Sequence, residues 1–499
     1  MNDGKTPIVE LKGINKAFGG VRVLKNIDLS INPGDIVCLC GENGSGKSTI
    51  IKIISGVYTF DSGSLKLNGK NFTNLSSSQS IDEGIQVIYQ DLSVFHNLTV
   101  AENISFSYRV QNKHKLVNYK FGRQLAKQAL EKLGIELDLD QEVGYLSVAE
   151  RQLVAISRAI AQEASLIIMD EPTTAITQRE IEKLLDIIRG LKEQGIAVLF
   201  VSHKLEEVVA VCDRVIVTRN GEKVVDSTVS EFDASKIAYY MTGEEITYQP
   251  FDYKDSEEKP LIEVKDLSVK GQFENVSFSV KPGEILAIAG QLGSGRTELA
   301  ETLFGLYPGY SGDIYIDGEK TNLKSRKVAL RHGIAYLPED RLTEGLFMNR
   351  SLGENFSAVI IDTMTKFGVV SERKIEQLSD HWINELRMSK KDYTTPANNY
   401  SGGNQQRIVL GKWLAAKPRI FILNCPTVGV DVKSKSEIHD IVKKLAEQGF
   451  AIIMMSDDIP EVISTSNRVL IMVGGKVTYE CNTSEVSKEQ MNDRILQAV

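Results

Sequence analysis

Short apolar runs without polar alternation recur along the chain, at Ile36 to Cys40, Leu166 to Met169 and Ala197 to Val201, interleaved with longer stretches of helical period. Runs of that length suit strands buried on both faces, so the pattern predicts an α/β fold built on mainly parallel sheets. The same arrangement returns in the second half, where VKPGEILAIAGQLGSGRTE answers INPGDIVCLCGENGSGKST. Gly41 pairs with Gly290 and Gln90 with Glu339 at a separation of 249. Ser147 and Ser401, Asp170 and Asn424, His203 and Asp457, and Arg214 and Arg468 all stand 254 apart. One unit is therefore written twice, with a net insertion of five residues in the second copy between its second and third landmarks. The stretch between the copies, 248–260, is polar, acidic and carries two prolines, which predicts an exposed connection. This places domains at 7–245 and 260–495, joined by a linker at 246–259.

Composition narrows the class. A chain of 499 residues with 42% apolar and 25% charged positions has the make-up of packed globular domains. Its net charge of −8 argues against a strongly basic face, so nucleic acid is not an expected partner. Five cysteines, Cys38, Cys40, Cys212, Cys425 and Cys481, show neither metal-ligand spacing nor disulfide density, which fits a reducing, cytoplasmic compartment. No secretory signal opens the sequence and no run of 18 apolar residues occurs, so membrane contact is expected through partners only.

The first copy carries phosphate chemistry. Gly41-Glu42-Asn43-Gly44-Ser45-Gly46-Lys47-Ser48 fills the pattern GxxxxGK[ST] between a predicted strand and a helix starting near Thr49. Glycines let the backbone curl its N–H groups toward phosphate oxygens, Lys47 adds a positive charge, and Ser48 offers a hydroxyl to Mg²⁺. Leu166-Ile-Ile-Met-Asp170-Glu171 ends another buried strand with two carboxylates. Asp170 suits the Mg²⁺ shell, and Glu171 suits polarising an attacking water.

With these motifs the sequence resembles the ATP-binding cassette (ABC) family, twice over and across nearly the whole chain. The resemblance implies two tandem P-loop NTPase domains, each a mainly parallel sheet with helices plus a helical signature subdomain, binding ATP and Mg²⁺. It matches Gln90 to a Mg²⁺-sensing loop that touches the membrane subunit, His203 to a switch histidine on the γ-phosphate, and Phe18 to an aromatic stacked on adenine. Ser48, Gln90 and Asp170 become the Mg²⁺ residues. The family signature, which caps ATP held by the opposite cassette, is matched by Ser401, Gly402, Gly403 and Gln405 but poorly by Leu146-Ser147-Val148-Ala149-Glu150. There Val148 and Ala149 add bulk and Glu150 adds a repelling charge. Asp431 matches the loop that reaches across to the first site.

The implied second site is degraded. Gly290, Gly295 and Thr297 remain, but Arg296 replaces lysine, Asn424 the Mg²⁺ aspartate, Cys425 the catalytic glutamate and Asp457 the histidine, with Glu339 at the position of Gln90 and Ser147 in the facing signature. Arginine is a fork and not a point charge, and a thiol is a poor base. A buried, inert cysteine is the expectation for Cys425. Ile8 and Leu261 stand 253 apart but Pro33 and Pro282 only 249, so the second copy lacks four residues around the position of Phe18.

Twin cassettes, the Gly-Ser-Gly-Arg-Thr-Glu loop and Tyr336-Leu-Pro-Glu-Asp-Arg341 look like the simple-sugar importers of the ribose, galactose and xylose type. That likeness implies transmembrane permease subunits, through them a substrate-binding protein, and a peripheral place on the cytoplasmic face of the inner membrane. A nucleoside importer of the same subfamily is the nearest alternative. A soluble twin-cassette translation factor is the alternative from another class, but it would carry a long charged helical linker and two catalytic glutamates. A non-hydrolytic sensor is disfavoured by the complete first site.

Overall fold

The computed structural model describes residues 6–89, 91–111, 118–173, 176–202, 204–245, 251, 253, 257–291, 293–388 and 392–497. Gln90 and His203 lie outside the described residues, as do 246–250, 252 and 254–256 of the expected linker. The chain divides into two compact units, Met1–Ile246 and Thr247–Val499.

In the first unit, six strands form a sheet in the order Glu222–Thr228, Arg214–Arg219, Ile36–Gly41, Ala197–Val201, Leu166–Asp170, Ile85–Ile88. The three apolar runs of the sequence are its centre, paired in parallel with Ile36 opposite Val198 and Leu166 opposite Ala197. Ile36–Gly41 and Ala197–Val201 are buried at every residue, as unbroken hydrophobicity requires. Only the edge hairpin is antiparallel, turned by Asn220 and Gly221 at positive φ.

A second layer escaped the sequence reading. Val21–Ile31, Val9–Phe18, Ser62–Leu67 and Lys70–Phe72 form a four-stranded antiparallel sheet. Its strands bury one face only, and bulges in the pairing of Val9–Phe18 with Val21–Ile31 interrupt the alternation that would have announced them. The helix Lys47–Ile54 belongs to the core between the two sheets, where Ile50, Ile51, Ile53 and Ile54 join Leu11, Leu24, Ile168 and Leu199 in one apolar cluster. Val100–Gln111, Tyr119–Leu133 and Val148–Ala161 pack together as the helical part.

The second unit repeats this plan, with a six-stranded sheet centred on Ala451–Ser456 and Ile285–Ala289 and a four-stranded antiparallel one. Two differences position its site. The antiparallel hairpin Ile262–Val269 and Phe273–Val280 has strands of 8 residues each, against 10 and 11 in the first unit. No residue therefore answers Phe18. The insertion also resolves. Asn103 Oδ1 accepts the Phe95 N–H and Asn355 Oδ1 the Phe347 N–H, both at 2.9 Å, and these pairs stand 252 apart. Three extra residues thus fall between Glu339 and Phe347, a stretch that holds a π-helical turn, Arg341–Gly345.

Two described residues depart from the expected exposed connection. Phe251 packs on the second unit's core and Tyr253 lies against Gly283, both half-buried, because aromatic rings flanked by polar residues still find apolar cover. Among the described residues no helix is long and apolar enough to cross a membrane.

Candidate active site

In the first unit the phosphate loop leaves the buried strand Ile36–Gly41 and enters the helix through Gly46, whose φ of 104° is left-handed. A Cβ at Gly46 would also strike the Leu24 side chain, so glycine is required on two counts. The loop is tied to its neighbouring strand by Ser45 Oγ, 3.0 Å from Thr218 Oγ1, which itself donates to the Cys40 carbonyl at 3.2 Å. Lys47 Nζ folds over the loop and donates to the Gly41 and Glu42 carbonyls at 2.6 and 2.9 Å. Asn43, Gly44 and Ser48 are exposed, and Glu42, Lys47 and Thr49 are half-buried.

A cavity of about 450 Å³ opens beside the loop, lined by Ser48, Ile51, Lys52, Tyr89, Asp91 and Asp170. It joins the hydroxyl and carboxylate predicted for Mg²⁺. Burial and the neighbouring Glu171 push the Asp170 carboxyl above its ordinary range, opposed by Lys47 and Lys52. A carboxylate that is costly to ionise by itself, a hydroxyl and open volume are what a hard divalent cation uses. The residues fit the ion.

The raised Asp170 value has a consequence for stability. A folded-state pKa above the unfolded one contributes stability below the unfolded pKa that is lost as pH rises through the folded value. At neutral pH ionised Asp170 therefore opposes folding of the ligand-free protein. Asp170→Asn is expected to raise the melting temperature at pH 7 and to lose that advantage as pH falls into the carboxylate range, while abolishing turnover. Thermal melts across pH, with and without the substitution, check this.

Glu171 sits just past its strand at φ 50°, and its N–H donates to the Val201 carbonyl at 2.8 Å. Holding a non-glycine residue in this region costs about 1 to 3 kcal/mol and collects at functional sites. Cys425 repeats the conformation at φ 48°, with its N–H on the Met455 carbonyl at 2.9 Å. The backbone device survives where the carboxylate does not. Phe18 ends its strand 41% exposed, edge-on to Tyr58 at 5.2 Å and under Lys16 Nζ at 5.3 Å.

Sequence reasoning missed Thr173 and Glu207. Thr173 Oγ1 donates to Glu207 at 2.6 Å, and Lys204 Nζ donates to the Thr173 carbonyl at 3.1 Å while lying 3.4 Å from Glu207. This couples the segment after Glu171 to the helix that follows position 203. Thr427 and Glu461, each 254 residues on, make the same bond at 2.6 Å. Identity at the repeat spacing was the signal available. In the second unit the glutamate is sealed in. Burial pushes Glu461 up, but hydrogen bonds from His439 and Ser456 and the charge of Lys435 outweigh it, holding the carboxyl low.

At the second phosphate loop Gly295 keeps the left-handed entry at φ 93°. Arg296 is buried, one arm on the Gly290 carbonyl as Lys47 is on Gly41, the other 3.6 Å from Asp457. The two substitutions thus compensate as an ion pair. Asn424 Nδ2 lies 3.5 Å from Thr297 Oγ1, which lies 3.5 Å from Glu339. Glu301 is pushed up by burial and by Glu344, Glu298 and Glu339, an acidic setting for a triphosphate. Burial drives the Cys425 thiol far above neutrality, so it holds no thiolate to act as a base.

The two signature turns also differ. Ser147 Oγ accepts the Glu150 N–H at 3.2 Å and the Glu150 carboxylate accepts the Ser147 N–H at 2.8 Å, a capping box that lays a carboxylate over the start of Val148–Ala161. Ser401 makes no such cap on Gly402–Leu414. Its hydroxyl accepts from Asn404 at 3.1 Å. A Cβ at Gly403 would strike Ser434 Oγ. Gln405 donates to the Ala397 carbonyl at 3.3 Å, and Asp431 accepts from Ser434 N and Oγ at 2.8 and 3.0 Å.

Comparison with known proteins agrees with this division. The ABC transporter family pattern matches residues 24–174 and 273–428. The ribose import ATP-binding protein of Geobacillus kaustophilus is 41% identical over 94% of this chain and 95% of its own length. That of Bacillus licheniformis is 37% identical over 97% and 98%, and that of Clostridium tetani 39% over 97% and 96%.

Proposed function

The chain belongs to the ABC transporter family, and we propose that within it this protein is the ATP-hydrolysing subunit that drives import of a small sugar. The observation that carries the reading is the first unit's cavity, where Ser48 and Asp170 meet beside the phosphate loop, with Glu171 on its strained turn next to Asp170. Near full-length likeness to ribose import ATP-binding proteins supports the cargo class.

The loop 41–49 cradles the phosphates with its N–H groups, Lys47 supplies the positive charge, and Phe18 takes the adenine. Mg²⁺, which neutralises phosphate charge, would be held by Ser48, Gln90 and Asp170. Glu171 draws the proton of the attacking water, and His203 contacts the γ-phosphate. Ser401, Gly402, Gly403 and Gln405 serve as the signature, with Asp431 beside them. The second unit's own loop, Gly290 to Thr297 with Glu339, Asn424, Cys425 and Asp457, does not hydrolyse nucleotide.

The protein works with membrane permease components. A docking surface just after Gln90 in sequence is supported by Phe95 and Phe106, whose rings lie 4.8 Å apart, tilted by 55°, while 42% and 39% exposed. Phe347, 58% exposed, stands at the matching place in the second unit. The complex extends through the permease to a substrate-binding protein, with this chain on the cytoplasmic face.

Affinity purification from gently solubilised membranes tests the reading. A multi-span permease should co-purify. Ribosomal proteins in its place would overturn the transport function and leave the ATPase site standing.

A further inference from the structure

Within the Tyr336-Leu-Pro-Glu-Asp-Arg341 segment the arginine has no role in the chemistry above, yet it reaches three groups at and beside the second unit's signature. Arg341 Nη1 donates to the Val428 carbonyl at 2.6 Å and Nη2 to the Gly429 carbonyl at 2.9 Å. Its Nε lies 3.5 Å from Gln405 Oε1 on the signature helix. The residue is half-buried, and loss of hydration lowers its pKa, opposed by Asp340. A planar fork meeting two adjacent carbonyls is a geometry that an ammonium does not reproduce.

The glycines around it are shaped to admit it. A Cβ at Gly402 would come within 3.0 Å of Arg341 Nη2 and of the Gly429 carbonyl. A Cβ at Gly429, held at φ 67°, would come within 3.1 Å of Arg341 Nη1. Arg341 itself starts the π-helical turn, which Asp340 caps by accepting from Leu342 N at 2.9 Å and Thr343 Oγ1 at 2.6 Å. Lys412 anchors the far end of that turn through the Gly345 carbonyl. In the first unit the position of Lys412 is Arg158, which donates to the Ser93 and Leu92 carbonyls, and residues 91–93 are Asp, Leu and Ser with no arginine.

We propose that Arg341 is a positioning residue for hydrolysis. Its guanidinium braces the signature turn against the loop that leaves the degenerate strand Ile420–Asn424, so that the second unit holds Ser401, Gly402 and Gly403 in one geometry without cleaving nucleotide. The inference rests on the reading that the Ser401 turn serves the first unit's hydrolysis.

The test compares Arg341→Gln, Arg341→Lys and Gly403→Asp in the full chain purified with its permease, reading kcat and KM for ATP and hydrogen exchange along the second unit. Arg341→Gln should lower kcat by about 10-fold, short of the roughly 100-fold that 1 Å of misplacement can cost. KM should stay near its original value, Arg341→Lys should fail to restore kcat, and exchange should quicken at 400–406 and 426–431 alone. A wild-type kcat in Arg341→Gln, with Gly403→Asp inactive, overturns the inference and leaves the functional reading intact. Full activity in both variants removes the reading itself. Exchange quickened throughout the second unit, or full rescue by lysine, reduces Arg341 to a general stabiliser and equally overturns it.

Discussion

Glu171→Gln lowers steady-state ATP turnover by about 10² to 10⁴, the range for loss of a general base, while Cys425→Ala leaves it unchanged. The two residues share one backbone turn, at φ 50° and 48°, and one anchoring hydrogen bond. A difference in turnover therefore reports the side chains and not the scaffold. Beside Glu171 lies Asp170, on which the positive charges of Lys47 and Lys52 act. Cys425 is buried beside an asparagine, and burial keeps its thiol protonated. Equal losses in the two variants, measured as phosphate release by the purified complex, would sink the asymmetric account.

The signature turns give the second large effect. Gly403→Asp is expected to cost about 10² to 10³ in turnover, the scale set by removing a preorganised donor to phosphate-like charge. Ser147→Ala is expected to leave turnover alone and to cost about 0.5–2 kcal/mol of stability, because its hydroxyl is committed to capping its own helix. Ser434 complicates the first variant, since any side chain at 403 meets its hydroxyl. Adding Ser434→Gly removes that clash and should not restore turnover to Gly403→Asp. Urea unfolding midpoints separate the two kinds of loss. Recovery in the double variant would reassign Gly403 to packing alone.

The parallel sheets were legible because their strands are continuous hydrophobic runs, and the phosphate loop because its glycines, lysine and serine occupy fixed spacing. The antiparallel sheet was not legible. Its pairing depends on bulges at residues such as Ile14 and Lys16, and register of that kind is set by tertiary contact. Degradation of the second site was visible residue by residue in Arg296, Asn424, Cys425 and Asp457. Its compensation was not, because the proximity of Arg296 to Asp457 spans 161 positions of sequence. Glu150 was expected to repel phosphate, and the structure adds that its carboxylate also covers the helix start. Arg341 was noticed as part of a motif, but its carbonyl partners lie 87 and 88 residues away and only folding brings them together.

Trapping the wild-type complex with vanadate and an ATP analogue photoreactive on its adenine, the part assigned to Phe18, then mapping the labelled peptides, tests the central claim most directly. The account predicts hydrolysis-dependent label in the first unit, Met1–Ile246, with none in Thr247–Val499. Equal hydrolysis-dependent label in both units would contradict it.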